Sequence, residues 1–305
     1  MTYDILIVGG GAAGLTAATY ARRAGKSVLV IEKAAFGGQI TWSPRVENFP
    51  GTLSVSGAEL GDRLLEQAME QGAEVALEEV VRVEKRTGSF RLVCDSGEEF
   101  DGKALIIATG AKPRRLGLAG EEALIGSGVC FCAVCDGAFY KNRVVAVCGG
   151  GNSALQDALL LSEKSSVVYL IHRRGSFKGE ARLVAELEGR ENVKFLLNAR
   201  VTALRGEAEL TGVRVEQDGK SFDLALDGLF VAVGHVPDNA VFRELIALDE
   251  QGYAVSGEDC VTAAPGVFVA GDCRRKKVRQ LTTACADGAS AALAACEWLS
   301  SQPTR

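Results

Sequence analysis

Short apolar runs that end in glycine mark the chain from its first residues. Asp4 to Val8, DILIV, leads into Gly9, Gly11 and Gly14 of GGGAAG, and a helix-like stretch follows to Ala24. This order predicts strand, tight turn and helix. In such a unit the first glycine permits the turn, the second lets backbone approach a pyrophosphate, and the third lets helix pack close to strand. The phosphate sits at the positive helix N-terminus. A second run, SVLVIE, ends in Glu32, where a carboxylate can take the hydroxyls of a ribose. The glycine spacing alone is a weak signal, and this surrounding order is what strengthens it.

The plan recurs. RVVAVC is followed by Gly149, Gly151 and Ala154 of GGGNSA, and SVVYLIHRR is the second strand of that copy. The interval that separates Gly9 from Glu32 leads here from Gly149 to His172, followed by Arg173 and Arg174. An acid at that point repels a 2'-phosphate, whereas arginine binds one with charge-assisted contacts. The first copy is therefore read as a site for a dinucleotide with a free ribose diol, the second as a site for NADP. Both copies close on similar strands, ALIIATGAKP (104–113) and GLFVAVGHVP (228–237). A third, GVFVAGDC (266–273), places Asp272 just past its end, where open α/β sheets hold ligands.

At 305 residues, 47% of them hydrophobic, the chain has the length and apolar content for two domains. A formal charge of −5 and a pI near 5.4 argue against a broad surface for nucleic acid or anionic membrane. No apolar stretch approaches a membrane span, and nothing at the start reads as a signal peptide. A soluble, cytoplasmic protein is expected. The basic run RRKKVR (274–279) reads as a solvated loop.

Nine cysteines, an odd number in so long a chain, read mostly as small buried side chains, Cys148, Cys285 and Cys296 among them. The cluster CFCAVCDG at 130–137 is different. It offers one C-x-x-C pair, Cys132 and Cys135, too few spaced partners for zinc or an iron-sulfur cluster, and no metal site is expected. A static bridge over so short a loop adds little stability. Redox cycling fits: such pairs have lowered thiol pKa values, and the thiolate is the attacking species in disulfide exchange. Reduction also consumes protons. With no histidine nearby, Asp136 is the available acid, provided burial raises its pKa; the alternative is that it caps the turn before Gly137.

Taken in order, VGGGAAG, GGQI, ENFPG, IIATGA, CAVCDGAFY, GGGNSA, IHRRGSF, FVAVGHVP, VFVAGDC and RQLTTACADGASAA resemble the low-molecular-weight, bacterial-type NADPH-dependent thioredoxin reductases, flavoproteins with two dinucleotide-binding domains. The resemblance covers nearly the whole chain. It implies an α/β fold of two Rossmann-like domains, with the NADPH domain (114–242) inserted into a discontinuous FAD domain (1–113 and 243–305). It assigns FAD to Gly9, Gly11, Gly14, Glu32, Gly38, Gln39, Asn48, Thr109, Asp272, Arg279 and Gln280. NADPH falls to Gly149, Gly151, Asn152, Ser153, His172, Arg173 and Arg174. It further implies a homodimer, thioredoxin as the protein disulfide substrate, Cys132 as attacking thiol, Cys135 as the sulfur nearer the flavin, and Asp136 as catalytic acid. Because the pair and the NADPH residues share one domain, the resemblance also implies domain rotation between half-reactions. The chain departs from the family at Lys178, where arginine is usual, at Cys273, and at Cys130, an extra thiol. A flavin-dependent dithiol oxidase or a ferredoxin-driven reductase is expected to lack an intact NADPH site, and here GGGNSA with HRR is intact.

Overall fold

The structure, a computed structural model, describes residues 2–302. From the N-terminus the chain forms β1 (Thr2–Val8), α1 (Ala12–Arg23), β2 (Val28–Glu32), α2 (Gly57–Glu70), β3 (Glu74–Leu77), β4 (Val80–Arg86), β5 (Ser89–Cys94) and β6 (Glu99–Ile107). β7 (Ala111–Pro113) carries it into a second unit made of β8 (Val129–Cys130), α3 (Ala133–Asp136), β9 (Val144–Cys148), α4 (Asn152–Ser162), β10 (Val167–His172), α5 (Ala181–Glu188), β11 (Val193–Leu197), β12 (Ala199–Arg205), β13 (Gly212–Gln217), β14 (Lys220–Ala225) and β15 (Gly228–Val231). β16 (His235–Pro237), β17 (Val267–Val269) and α6 (Leu281–Ser301) complete the chain. One compact unit runs to Lys112 and resumes at Val236; the other is Pro113–His235. β7 and β16, the two crossings, pair with each other.

In the first unit the sheet runs β3-β2-β1-β6, and β17 pairs with the C-terminal half of β6, all parallel. β4 and β5 add an antiparallel extension to the N-terminal half of β6. Successive strand residues point to opposite faces. Ile5 and Ile7 accordingly pack with Leu15, Ala17 and Ala18 of α1 and with Ala291, Ala292 and Ala295 of α6. Leu6 and Val8 face the other way, toward Leu92, Leu105, Phe242 and Ile246. Both faces are dry, and each large aliphatic side chain removed from water in this way contributes about 1.5–3 kcal/mol. Phe242 is buried in this unit, so the return crossing precedes the boundary at residue 243 read from sequence.

The second unit repeats the design with a parallel sheet in the order β11-β10-β9-β15-β8. Val145, Val147, Val168 and Leu170 meet Leu155, Ala158 and Leu161 of α4. Ala146, Cys148, Leu229 and Val231 meet Val213 and Val215 of the antiparallel sheet β12-β13-β14. Both units are Rossmann-like. Among the described residues no helix is long and apolar enough to cross a membrane.

The turn after β1 depends on a close approach of backbone to backbone. A Cβ on Gly14 would lie 1.9 Å from the carbonyl oxygen of Gly9. Backbone cannot swing aside as a side chain can. The Gly14→Ala variant should therefore lose at least about 2 kcal/mol of stability, read as a fall in the denaturant midpoint; an unchanged midpoint would contradict the packing.

Candidate functional site

Most helices need a side-chain cap for their first free amides. α2 has one: the Ser56 hydroxyl accepts from the Glu59 N–H at 3.1 Å. α1 and α4 do not. They begin at Gly11 and Gly151, with no side-chain cap on either, so their first amides are left for a bound group. A Cβ on Gly11 would have no neighbour closer than 3.9 Å, so there is room on that side of the turn.

Beside α1, Glu32 is locked at the end of β2. Its carboxylate accepts from the N–H of Gly10 at 2.7 Å and of Ala34 at 2.9 Å. Gly37 bonds to the Gly10 carbonyl, which brings Gly38 against Gly11. Gln39 donates to the Ala111 carbonyl at 2.9 Å. Thr109, just past β6, meets Asn239 at 3.2 Å, and Asn239 donates to the carbonyls of Cys273 (2.8 Å) and Gly252 (2.9 Å). Asn239, one of the most deeply buried polar residues, thus ties the Thr109 end to the turn that carries Asp272. Asn48 approaches Gln280 at 3.5 Å, and the Arg279 guanidinium lies over the Tyr253 ring at 4.3 Å.

Under that turn lies a buried charge cluster. Arg274 donates two hydrogen bonds to Asp287, Lys276 donates one at 2.7 Å, and the Gly271 N–H donates another at 3.0 Å. Burial pushes the Asp287 carboxyl up, but the bonds from Arg274 and Lys276 outweigh it and hold it below the usual carboxylate range. The expectation of a solvated RRKKVR loop fails for Arg274 and Lys276, whose side chains are 3% and 6% exposed. Asp287 is what draws them inside: a lone acid between Ala286 and Gly288 in a helix of small residues was the available signal. Asp272 itself keeps a buried oxygen, Oδ1, with no hydrogen-bond partner, and so does the Nε of Arg279. Burial raises the Asp272 pKa, opposed by Lys276 and Arg279. Open helix amides, a fixed Glu32 and unsatisfied polar atoms on Asp272 and Arg279 are what a dinucleotide with a polyhydroxyl chain requires, so the residues fit FAD.

The corresponding position in the second unit is built differently. His172 is buried and stacks on Phe177 at 5.4 Å, and a Cβ on Gly150 would strike its ring at 2.2 Å. Burial, with Arg174 and Arg173 adding to it, lowers the His172 pKa. His172 is thus a neutral support beneath the glycine turn, while Arg173 and Arg174 are exposed. Asn152 is held by Glu180, accepting from its N–H at 2.8 Å and donating to its carboxylate at 3.0 Å. Ser153 is exposed at the start of α4. These features fit NADP: open amides at the helix start and two free guanidinium groups at the end of β10.

Cys132 and Cys135 are joined by a disulfide, with Cα atoms 5.3 Å apart. Cys132 is the N-cap of α3, and its sulfur accepts from the Cys135 N–H at 3.2 Å. Cys135 is exposed and Cys132 half-buried. Asp136, at the end of α3, is pushed by burial up to about 6, with a hydrogen bond from Cys130 opposing the rise. Cys130 is buried and lies 3.3 Å from the Tyr140 hydroxyl. Tyr140 closes the motif CAVCDGAFY, but nothing in the sequence assigned it a role.

The chain belongs to a known family: the pattern of the pyridine nucleotide-disulphide oxidoreductases matches residues 3–288. Within it, the chain is 40% identical over 289 residues to a Listeria monocytogenes protein named thioredoxin reductase, an alignment covering 94% of this chain and 90% of that one. A Mycolicibacterium smegmatis protein of the same name is 39% identical over 98% of this chain and 97% of its own. The crystal structure of thioredoxin reductase from Streptococcus pyogenes superposes with a TM-score of 0.93 at 35% identity, covering 99% of both chains.

Replacing Asp287 with asparagine would leave Arg274 and Lys276 buried without their counter-charge. Asp287→Asn should cost about 3–5 kcal/mol at neutral pH. Because the folded pKa of Asp287 is depressed, the stability it contributes is full above the ordinary carboxylate pKa and is lost as pH falls through the lower folded value. The gap between variant and wild type, measured by denaturant unfolding, should therefore close on acidification below about pH 4. A gap independent of pH would contradict the ion pairing.

Proposed function

We propose that the protein is an NADPH-dependent thioredoxin-disulfide reductase that carries FAD and acts as a homodimer. The observation that carries this reading is the Cys132–Cys135 disulfide, opening to the surface beside the half-buried acid Asp136, in the unit that also holds a second dinucleotide turn with two exposed arginines. When bound, the flavin supplies two-electron transfer between a nicotinamide and the disulfide.

The chain's own residues do the rest in this reading. Glu32 takes the ribose hydroxyls of FAD, and the Gly9–Gly14 turn with the open α1 amides takes its pyrophosphate. Asp272, Arg279, Gln280, Thr109, Asn48, Gly38 and Gln39 line the remainder. Gly149, Gly151, Asn152 and Ser153 receive the pyrophosphate of NADPH, and Arg173 and Arg174 its 2'-phosphate, with His172 supporting the turn from below. Two electrons and two protons convert the disulfide into two thiols, and Asp136 supplies a proton to a departing sulfur. Cys132 then attacks the thioredoxin disulfide and Cys135 resolves the mixed disulfide. The disulfide and the two arginines lie in Pro113–His235, Glu32 and Asp272 in the other unit; β7 and β16 are the hinge segments over which the units rotate between half-reactions.

Anaerobic addition of NADPH should bleach the yellow holoprotein, and added oxidised thioredoxin should restore the colour as its own disulfide is reduced. Bleaching only by another donor would overturn the reading. Arg173→Ala with Arg174→Ala should raise the KM for NADPH about 10²- to 10⁴-fold, since each charge-assisted bond contributes about 1.5–3 kcal/mol, and leave the KM for NADH nearly unchanged. An equal effect on both would place the 2'-phosphate elsewhere.

A further inference from the structure

We propose that Thr109 meets the flavin nucleotide as a hydrogen-bond acceptor only, because the carboxamide of Asn239 engages its hydroxyl proton, and that the group it takes is a hydroxyl of the ribityl chain. Asn239 is thereby a positioning residue. This rests on the reading that the first unit holds FAD.

The orientation of the carboxamide decides the polarity. A carboxamide carries two N–H donors on its nitrogen and only lone pairs on its oxygen. The Asn239 nitrogen lies 2.8 Å from the Cys273 carbonyl and 2.9 Å from the Gly252 carbonyl, two groups that only accept. Turned over, the amide would set its oxygen against both, and at 1% exposure bulk water could not make good the loss. One orientation therefore survives, with Oδ1 toward Thr109. Since Oδ1 only accepts, the proton in that 3.2 Å contact comes from the Thr109 hydroxyl. A hydroxyl has one proton, so Thr109 shows its other neighbours lone pairs alone. The Cys273 thiol does not claim them, because its own proton is directed to the carbonyls of Ala270 at 3.3 Å and Ile107 at 3.4 Å.

Thr109 stands where such an acceptor serves a ligand. A Cβ on Gly9 would lie 2.3 Å from the Ala108 carbonyl oxygen and 3.0 Å from the Thr109 nitrogen, so the end of β6 abuts the first glycine turn. A Cβ on Gly271 would lie 2.9 Å from the Cβ of Ala13, which sets the Asp272 turn against the same start of α1. Thr109 and Asp272 are half-buried rather than sealed. Around this helix start the polar groups are sorted. The uncapped α1 amides are donors and suit pyrophosphate oxygens, which have no proton to give. Asp272 Oδ1, without a partner, and the Thr109 hydroxyl, with its proton engaged, are acceptors. Acceptors beside a phosphate site call for O–H donors next to the pyrophosphate. In FAD that stretch is the ribityl chain, the ribose at the other end falling to Glu32. A phosphate or carbonyl oxygen at Thr109 would set lone pairs against lone pairs.

The test is a binding cycle on the full chain freed of flavin, with FAD and its 2'-, 3'- and 4'-deoxy analogues as probes. Affinities are read by calorimetry, and the denaturant midpoint of each apo variant reports folding separately. One analogue should bind wild type about 3- to 10-fold more weakly than FAD by loss of one neutral hydrogen bond. That gap should vanish in Thr109→Val and persist in Thr109→Ser, which keeps a hydroxyl. Fluorine in place of the hydroxyl so identified, having lone pairs and no proton, reads the polarity. The fluoro analogue should bind wild type more weakly than the deoxy analogue, and the order should reverse in Asn239→Leu, where Thr109 is free to turn its proton outward. Should Asn239→Leu not fold, the order in wild type decides by itself whether Thr109 accepts. Equal losses for every analogue in wild type and Thr109→Val would overturn the contact. A fluoro analogue that binds wild type better than its deoxy counterpart would overturn the polarity, and an unreversed order in folded Asn239→Leu would overturn the role of Asn239. If the wild-type chain takes up no FAD, the underlying reading falls too; if it takes up FAD and the cycle is flat, only this inference falls.

Discussion

The Asp287 carboxylate organises the first unit at the point where its strands end. It binds Arg274, Lys276 and the Gly271 N–H at once, fixing the turn after β17 against α6. That turn carries Asp272 on one side and, through Cys273 and Asn239, reaches Thr109 beyond β6 on the other. Two strand ends, a helix and the residue between are thus set by one buried anion. Such a cluster is a weak source of net stability, because desolvating three charges costs nearly what their attraction returns. Its effect is geometric: the oxygen of Asp272 that lacks a partner is held where it is by neighbours that have theirs.

The two dinucleotide units share strand, turn and helix yet differ at one place. Glu32 is gripped by two backbone amides at the end of β2. His172 occupies the matching place in sequence but turns inward, fills the space under Gly150 and sheds its charge. In the proposed reading, discrimination by charge in the second unit therefore falls to the next two residues, Arg173 and Arg174, which are exposed. On that reading, the exchange of an acid for a packed ring is what separates a diol site from one open to a phosphate.

What was legible in the sequence was local. Apolar runs, glycine turns, the Glu32 position and the C-x-x-C pair are all set by residues close in the chain, so spacing alone placed them. What escaped depends on partners far apart. Asn239 matters because Thr109 and Cys273 reach it, and Tyr140 because it folds back on Cys130. A run of four basic residues reads as solvated until an acid from α6 is brought under it. Phe242 follows a crossing strand and belongs to the first core, though nothing in its immediate neighbours says so.

Seven cysteines stand outside the disulfide, six of them buried and Cys285 half-buried. Burial raises the thiol pKa of every one, Cys130 to about 12, although it lies two positions from the reactive pair. A thiol of that pKa is thiolate in about one molecule in 10⁵ at neutral pH, and only the thiolate exchanges. Proximity alone would make Cys130 the natural rival for either sulfur. Its acidity makes it a bystander, and the fidelity of a two-thiol couple in a nine-cysteine chain is secured by dielectric rather than by distance.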